Sequence, residues 1–271
     1  MKIDNKITAV PEWDKTAKDV WNDKFAALTD DDESAEQNDS ARAKSAMFLS
    51  FTKRILSAAA VILLLFSAVA YLYTKDIKGV SGKILAATLP DGSKVQLSSS
   101  SDISYRPLLW MIAHDVKLDG EAYFSGHHAN GFSVKTDEGD IKVLGTSFNA
   151  RTFDGKLEVA CIDGRVKVSA NESSVVLTAG METAAQGGQF TTRHFTDTES
   201  INGWTRGVFS FYDRPLVDVL KDVGRHYGVK IEASADIDTL RYTGRFTCDK
   251  SVDDVLTIIG QPYNLTFKIS K

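Results

Sequence analysis

ILSAAAVILLLFSAVAYLY, residues Ile55–Tyr73, divides this chain of 271 residues into two unequal parts. The run holds nineteen residues without a charge, and only serine and tyrosine interrupt its apolar character. At 1.5 Å of rise per residue, a helix of that length spans about 28 Å, close to the ~30 Å hydrocarbon core of a bilayer. Lys53 and Arg54 flank one end, and Tyr71, Tyr73 and Lys75 the other, as interfacial anchors do. A buried helix in a small protein seldom needs to be apolar all round. Ala68-Val69-Ala70 imitates a leader cleavage site, but a leader does not carry more than fifty residues ahead of its apolar stretch. The expectation is one transmembrane helix over 55–73.

Working outward toward the N-terminus, residues 1–54 read as a short arm. Pro11–Leu28, PEWDKTAKDVWNDKFAAL, repeats Trp13, Ala17, Val20, Trp21, Lys24 or Phe25, and Leu28 at steps of three and four, which predicts a helix with one apolar stripe. TDDDESAEQNDS then follows, with almost nothing apolar, and reads as a tether. A lone helix of this length is marginal in water, so two tryptophans and a phenylalanine on one face call for a partner. Acidic residues Glu12, Asp14, Asp19 and Asp23 interrupt any basic face, so a protein partner fits better than the membrane surface. The candidate binding residues are Trp13, Val20, Trp21, Phe25 and Leu28. Four basic residues lie between Ser40 and Arg54, against Lys75, Lys78 and Lys83 beyond the span, which places the arm in the cytoplasm by a narrow margin. The larger part after Thr74 is then periplasmic.

Residues 79–195 carry Asp-Gly at positions 91, 119, 154 and 163, with Asn130-Gly131 besides, pairs that supply the positive φ angles of tight turns. Alternating runs flank them: Lys94–Leu97, Val116–Leu118, Ile141–Leu144, Leu157–Ile162, Val166–Val168 and Val175–Leu177. An all-β unit follows, either a sandwich or a short solenoid-like stack. Cys161 alternates with Leu157 and Val159 and reads as a small buried hydrophobe in preference to a disulfide with Cys248. His127-His128 would point to opposite faces of a strand and makes a poor chelate. Glu121 has no neighbour in sequence that completes an acid–base pair. No phosphate-cradling loop, nucleophile elbow or zinc signature occurs, so neither an enzyme nor a cofactor is expected. A net charge of −4 offers no field for nucleic acid.

Residues 203–271 contain a repeat at an offset of 36. Asp218-Val219-Leu220, Val223-Gly224 and Tyr227 recur as Asp254-Val255-Leu256, Ile259-Gly260 and Tyr263. Alternating runs precede and follow each copy, which predicts strand–helix–strand twice in a small α+β domain. The outer strands should leave an edge open to a partner, with Phe209, Phe211, Leu265 and Phe267 as candidate contacts. The chain as a whole reads as a membrane-anchored multidomain protein: a transmembrane helix, an all-β periplasmic domain, and an α+β C-terminal domain of two βαβ-like repeats.

LPDGSKVQLSSSSDISY (Leu89–Tyr105), VKLDGEAYF (Val116–Phe124), VLGTSFNAR (Val143–Arg151) and GRVKV (Gly164–Val168) together resemble the FecR family of anti-sigma regulators. FSFYDRPLVDVLKDVGRHYGVKI (Phe209–Ile231) is similar to the extra C-terminal domain of the Bacteroidetes members. The resemblance implies an inner-membrane regulator that binds an extracytoplasmic-function sigma factor in the cytoplasm. It also implies a periplasmic contact with the signalling domain of a TonB-dependent outer-membrane transducer, in systems that respond to siderophores or glycans. The alternative reading is a membrane-anchored periplasmic structural or glycan-binding module, for which the arm's two tryptophans would have no use.

Overall fold

The computed structural model describes Thr16, Lys18, Asp19, Asn22, residues 56–126 and residues 131–270. Trp13, Val20, Trp21, Phe25 and Leu28 of the arm, and the His127-His128 pair, lie outside the described residues. Of the arm itself, Lys18, Asp19 and Asn22 are helical. The Thr16 amide donates to the Asp19 carboxylate at 3.1 Å, the return bond of a capping box at a helix start. The chain is also helical over residues 56–72, here α1. Among the described residues, no helix is long and apolar enough to cross a membrane.

Among the described residues, thirteen strands form the first sheet after α1: β1 (Lys75–Lys78), β2 (Leu85–Thr88), β3 (Lys94–Leu97), β4 (Asp102–Tyr105), β5 (Asp115–Ser125), β6 (Phe132–Lys135) and β7 (Asp140–Val143), then β8 (Ser147–Phe153), β9 (Lys156–Asp163), β10 (Arg165–Ala170), β11 (Ser173–Thr178), β12 (Met181–Gln186) and β13 (Gln189–His194). β5 is the longest and organises the rest. Its first half pairs with β4 and β6, and its second half with β3 and β8. One sheet therefore bends along β5 into two halves, β1-β4-β5-β6-β7-β10-β11 and β2-β3-β5-β8-β9-β12-β13, in a barrel-like arrangement. Neighbouring strands run antiparallel, except for β5 with β6.

The bend has a local cause. Asp119-Gly120, which the turn chemistry assigns to a hairpin, lies instead inside β5, at the passage from one half to the other. Gly120 has φ of +106°, and a Cβ there would come within 2.6 Å of the Ser101 backbone. Only glycine supplies both the angle and the clearance. Asp154-Gly155 does join β8 to β9 as a hairpin, and Asp163-Gly164 separates β9 from β10.

Alternation then fills the interior. Along β5 the residues Val116, Leu118, Ala122 and Phe124 are buried, with more exposed neighbours between them. Phe124 stacks on Phe148 of β8 at 5.0 Å between centroids, and Phe132 of β6 leans on both. Each such side chain removed from water contributes roughly 1.5–3 kcal/mol. Cys161 is fully buried in this core, and both Cys161 and Cys248 are free thiols.

Beyond β13, α2 (Glu199–Asn202) and a 3₁₀ turn (Gly203–Arg206) lead to the repeat: β14 (Val208–Pro215), α3 (Leu216–Tyr227), β15 (Lys230–Ala233), β16 (Arg241–Thr247), α4 (Val252–Gly260) and β17 (Phe267–Ser270). Pro215 stands just before α3, and Gly228 closes it in the left-handed region with its amide on the Gly224 carbonyl. Ser251 caps α4 by accepting from the Asp254 amide at 3.2 Å. The strands pair across copies. β14 lies antiparallel to β16, and β15 to β17. Glu232 faces Lys268, its own counterpart at the offset of 36, while Val208 faces Thr247, the counterpart of Phe211. Both registers are those of an approximate two-fold axis between the copies. Leu216, Val219, Leu220 and Val223 of α3 meet Val255, Leu256 and Ile259 of α4 in a second core, which also takes Phe211, Tyr242 and Phe246.

Candidate functional site: an ionic seam

The outward face of β5, β8 and β9 carries charge where the inward face carries apolar side chains. Register places Arg151 of β8 between two acids, directly opposite Glu121 on β5 and Glu158 on β9. Its guanidinium reaches Glu121 at 3.6 Å and Glu158 at 3.2 Å. Opposite charges on facing positions of one sheet attract. This row is largely shielded from solvent, because the repeat domain packs over it.

Two elements of the repeat supply the cover. Asp222 of α3, on the face turned away from the helix's apolar stripe, accepts from Arg151, and Arg225 joins it from one turn further on. Arg214 of β14 reaches Glu158 at 3.2 Å. A register shift between Phe211 and Arg214, with Asp213 at φ of +47°, re-aims that side chain. The Arg225 guanidinium lies over the Phe153 ring, 4.1 Å from its centroid. Hydrogen bonds from uncharged side chains complete the seam. Trp204 donates its indole N–H to Asn149 at 3.1 Å, and Asn149 donates in turn to Glu121 at 2.9 Å. His226 Nδ1 and Ser99 Oγ are 3.2 Å apart, and the His226 carbonyl accepts from the Gly82 amide at 2.6 Å.

The surroundings set the charge states. Burial alone would raise the Glu158 carboxyl, but Arg214, Arg151 and Lys156 hold it at about 2. Asp222 is likewise held below the usual carboxylate range, since Arg151 and Arg214 outweigh its burial. Glu121 goes the other way. Burial dominates there, Asp222 adds repulsion, and Arg151 only partly offsets them, so its carboxyl is raised. Burial also lowers His226, which favours the neutral ring.

A cleft of about 420 Å³ runs along the seam, lined among others by Glu121, Arg151, Glu158, Trp204, Arg214 and His226. Its charges face one another as pairs, which suits a joint between domains better than a catalytic centre. Among the described residues, no group of three or more His, Cys, Asp or Glu side chains is placed to hold a metal ion.

Of the residues singled out for docking, Phe209 and Phe211 border this cleft, while Leu265 and Phe267 do not. Phe211 is buried, and Phe209, Leu265 and Phe267 pack against the second core. Phe209 stacks on Phe211 at 5.9 Å, leans on Phe246 at 5.2 Å and meets the His226 ring edge-on at 5.1 Å. The Phe211 side chain is buried and those of Phe209, Leu265 and Phe267 are half-buried, whereas β14, β15, β16 and β17 each pair with a single strand among the described residues. The seam itself is absent from the sequence-based expectations. Its signal lay inside the quoted motifs: Glu121 in GEAYF, Asn149 and Arg151 in FNAR, and Arg214, Asp222, Arg225 and His226 in the C-terminal stretch.

Comparison with known proteins matches the same two regions. The FecR protein model matches residues 75–167, and the model of the FecR C-terminal region matches residues 208–271. A crystal structure of a candidate anti-sigma factor from Parabacteroides distasonis ATCC 8503 is similar at a TM-score of 0.66 and 25% identity, over 73% of this chain and 95% of that one. A second crystal structure of a candidate anti-sigma factor from that organism shares the fold, with a TM-score of 0.63 and 23% identity over 73% of this chain and 96% of that one. No curated protein matches the chain. With both of its characteristic regions matched and joined through the residues of their own motifs, the chain belongs to the FecR family.

Proposed function

We propose that this chain is a membrane-anchored regulator of an extracytoplasmic-function sigma factor. In this reading the arm holds the sigma factor in the cytoplasm through Trp13, Val20, Trp21, Phe25 and Leu28. Residues 55–73 cross the inner membrane, and the two folded regions stand in the periplasm. The observation that carries the reading is the FecR match over both regions, together with the similarity of most of the chain to a candidate anti-sigma factor. The signal comes from the signalling domain of a TonB-dependent transducer. The open backbone edges of the β14–β16 and β15–β17 pairs are where such a domain would add a strand. Phe209, Phe211, Leu265 and Phe267 then shape that surface from inside the core. The reading assigns no catalytic reaction.

Truncating a buried aromatic anchor commonly costs about 2 kcal/mol or more of binding. Full-length Trp21→Glu is therefore expected to lose co-purification with the cognate sigma factor, while Lys18→Ala retains it. Equal recovery by wild type and Trp21→Glu would remove the arm from the mechanism.

A further inference from the structure

The register of the first sheet half fixes which loops share an end with the start of β1. Lys75 faces Tyr105, Tyr105 faces Val116, Asp115 faces Ser133, and Phe132 faces Val143. The segment between β4 and β5, the start of β6 and the turn after β7 therefore lie at the end of the sheet where the chain arrives from α1. One contact ties that end to the last turn of α1, and a second lies within the sheet. The Arg106 guanidinium sits over the Tyr71 ring, 4.5 Å from its centroid, and the Lys75 ammonium lies 5.9 Å from the Tyr105 centroid.

This end is the apolar one. Met111 is 91% exposed, Ile112 84%, Leu108 51% and Leu144 68%. The tip is not a floppy excursion. Trp110 turns inward, 4% exposed, with its ring against Tyr105 and His114. The amides of Ile112 and Ala113 both bond the Leu109 carbonyl, at 2.9 and 2.8 Å. The fold thus spends one tryptophan and two backbone bonds on holding Met111 and Ile112 outward. Isolated exposed apolar residues need no explanation, but a fixed cluster does.

We infer that Leu108, Met111, Ile112 and Leu144 dip into the membrane surface from which α1 emerges, so that the β domain rests on the bilayer instead of swinging from a single helix. The occupant is lipid, because the cluster shares its end of the sheet with Tyr71 and Lys75, and an apolar tip beside Arg106 and Lys75 suits acyl chains below anionic headgroups. The acids at this end are Asp115, at the start of β5, Asp76, on β1, and the exposed Asp163, beside the turn after β7; none lies within the Leu108–Ile112 tip.

The inference rests on the proposed membrane anchor, and one experiment separates the two. Full-length protein carrying Ile112→Cys, Val176→Cys or Leu65→Cys is labelled with an environment-sensitive thiol fluorophore and reconstituted into vesicles of phosphatidylethanolamine and phosphatidylglycerol with brominated acyl chains. Val176 is an exposed control on β11, and unsubstituted protein gives the background from Cys161 and Cys248. Bromine quenching of the probes at 112 and 65, with little at 176, is the expected result. Quenching at 65 alone would overturn the surface contact and leave the anchor standing. An unquenched probe at 65 would overturn the anchor and the surface contact with it.

Discussion

The two faces of β5, β8 and β9 are built on opposite principles. Inward, Phe124, Phe148, Ala150 and Val159 are almost wholly buried in an apolar core. Outward, on alternate positions of the same strands, Glu121, Arg151 and Glu158 meet Arg214 and Asp222 of the repeat domain. Apolar packing is non-directional and specifies no individual partner. Buried ion pairs balance a desolvation penalty of several kcal/mol against attraction only in good geometry. The inner face therefore supplies the core of the β domain, and the outer face orients the repeat that packs on it.

The sharpest way to break the comparison is on the apolar side. Phe148→Ala removes a stacked ring from the centre of the core and is expected to cost about 3–5 kcal/mol, lowering the urea midpoint of the whole β domain. A loss below about 1 kcal/mol would mean that the interior repacks freely. On the ionic side, Arg151→Met leaves Glu121, Glu158 and Asp222 short of their shared cation and is expected to cost about 3 kcal/mol. Hydrogen exchange should place that loss in β14–β17 and their junction, with the interior of β5 and β8 still protected. Adding Asp222→Leu to Arg151→Met should recover part of the loss, because an apolar replacement no longer strands a charge. The exposed pair of Lys221 with Asp154, 3.0 Å apart, is the control, and Lys221→Ala should cost under about 1 kcal/mol.

Acid probes the seam more gently, and its groups act in different windows. His226 has a lowered pKa, so the stability it favours is complete above about pH 6.5 and declines as pH falls below that. Asp222 and Glu158 are also lowered. Their contribution is full above the ordinary carboxylate value near 4 and disappears as pH falls toward about 2, the value for Glu158. Glu121 opposes them. Its raised pKa stabilises the fold at low pH, and that contribution is lost as pH climbs through the raised value. Stability against pH should therefore fall in two stages on acidification, and His226→Gln should flatten the upper stage alone. An unchanged upper stage in that variant would take the histidine out of the seam.

What could be read from sequence was whatever one strand or one repeat determines. Asp-Gly pairs and alternation gave the β region, and the recurrence of Asp218-Val219-Leu220 at Asp254 gave the second domain, because both depend on nearby residues. The pairing of the repeat's strands across copies, and the bend at Gly120, depend on partners far along the chain. Asp119-Gly120 carries turn chemistry and was spent on a kink. The seam was hidden for the same reason. Arg151 alone looks like any outward arginine on a strand, and only register shows Glu121 and Glu158 on either side of it. Phe209 and Phe211 show the converse: an aromatic alternation that suits a docking edge suits a small core equally well.

β1 gives the molecule a mechanical direction. It is four residues long, pairs with β4 alone among the described residues, and begins two residues after α1 ends. Hydrogen bonds between antiparallel strands lie across the strand axis. Tension applied at Thr74 along that axis loads the β1–β4 bonds in parallel, as shear, and they must give way together. Tension applied across the sheet from the same point unzips them in series, Lys75 from Tyr105 first. The same short strand is stiff to a pull along its length and compliant to a sideways one, so the bearing of a force matters as much as its size.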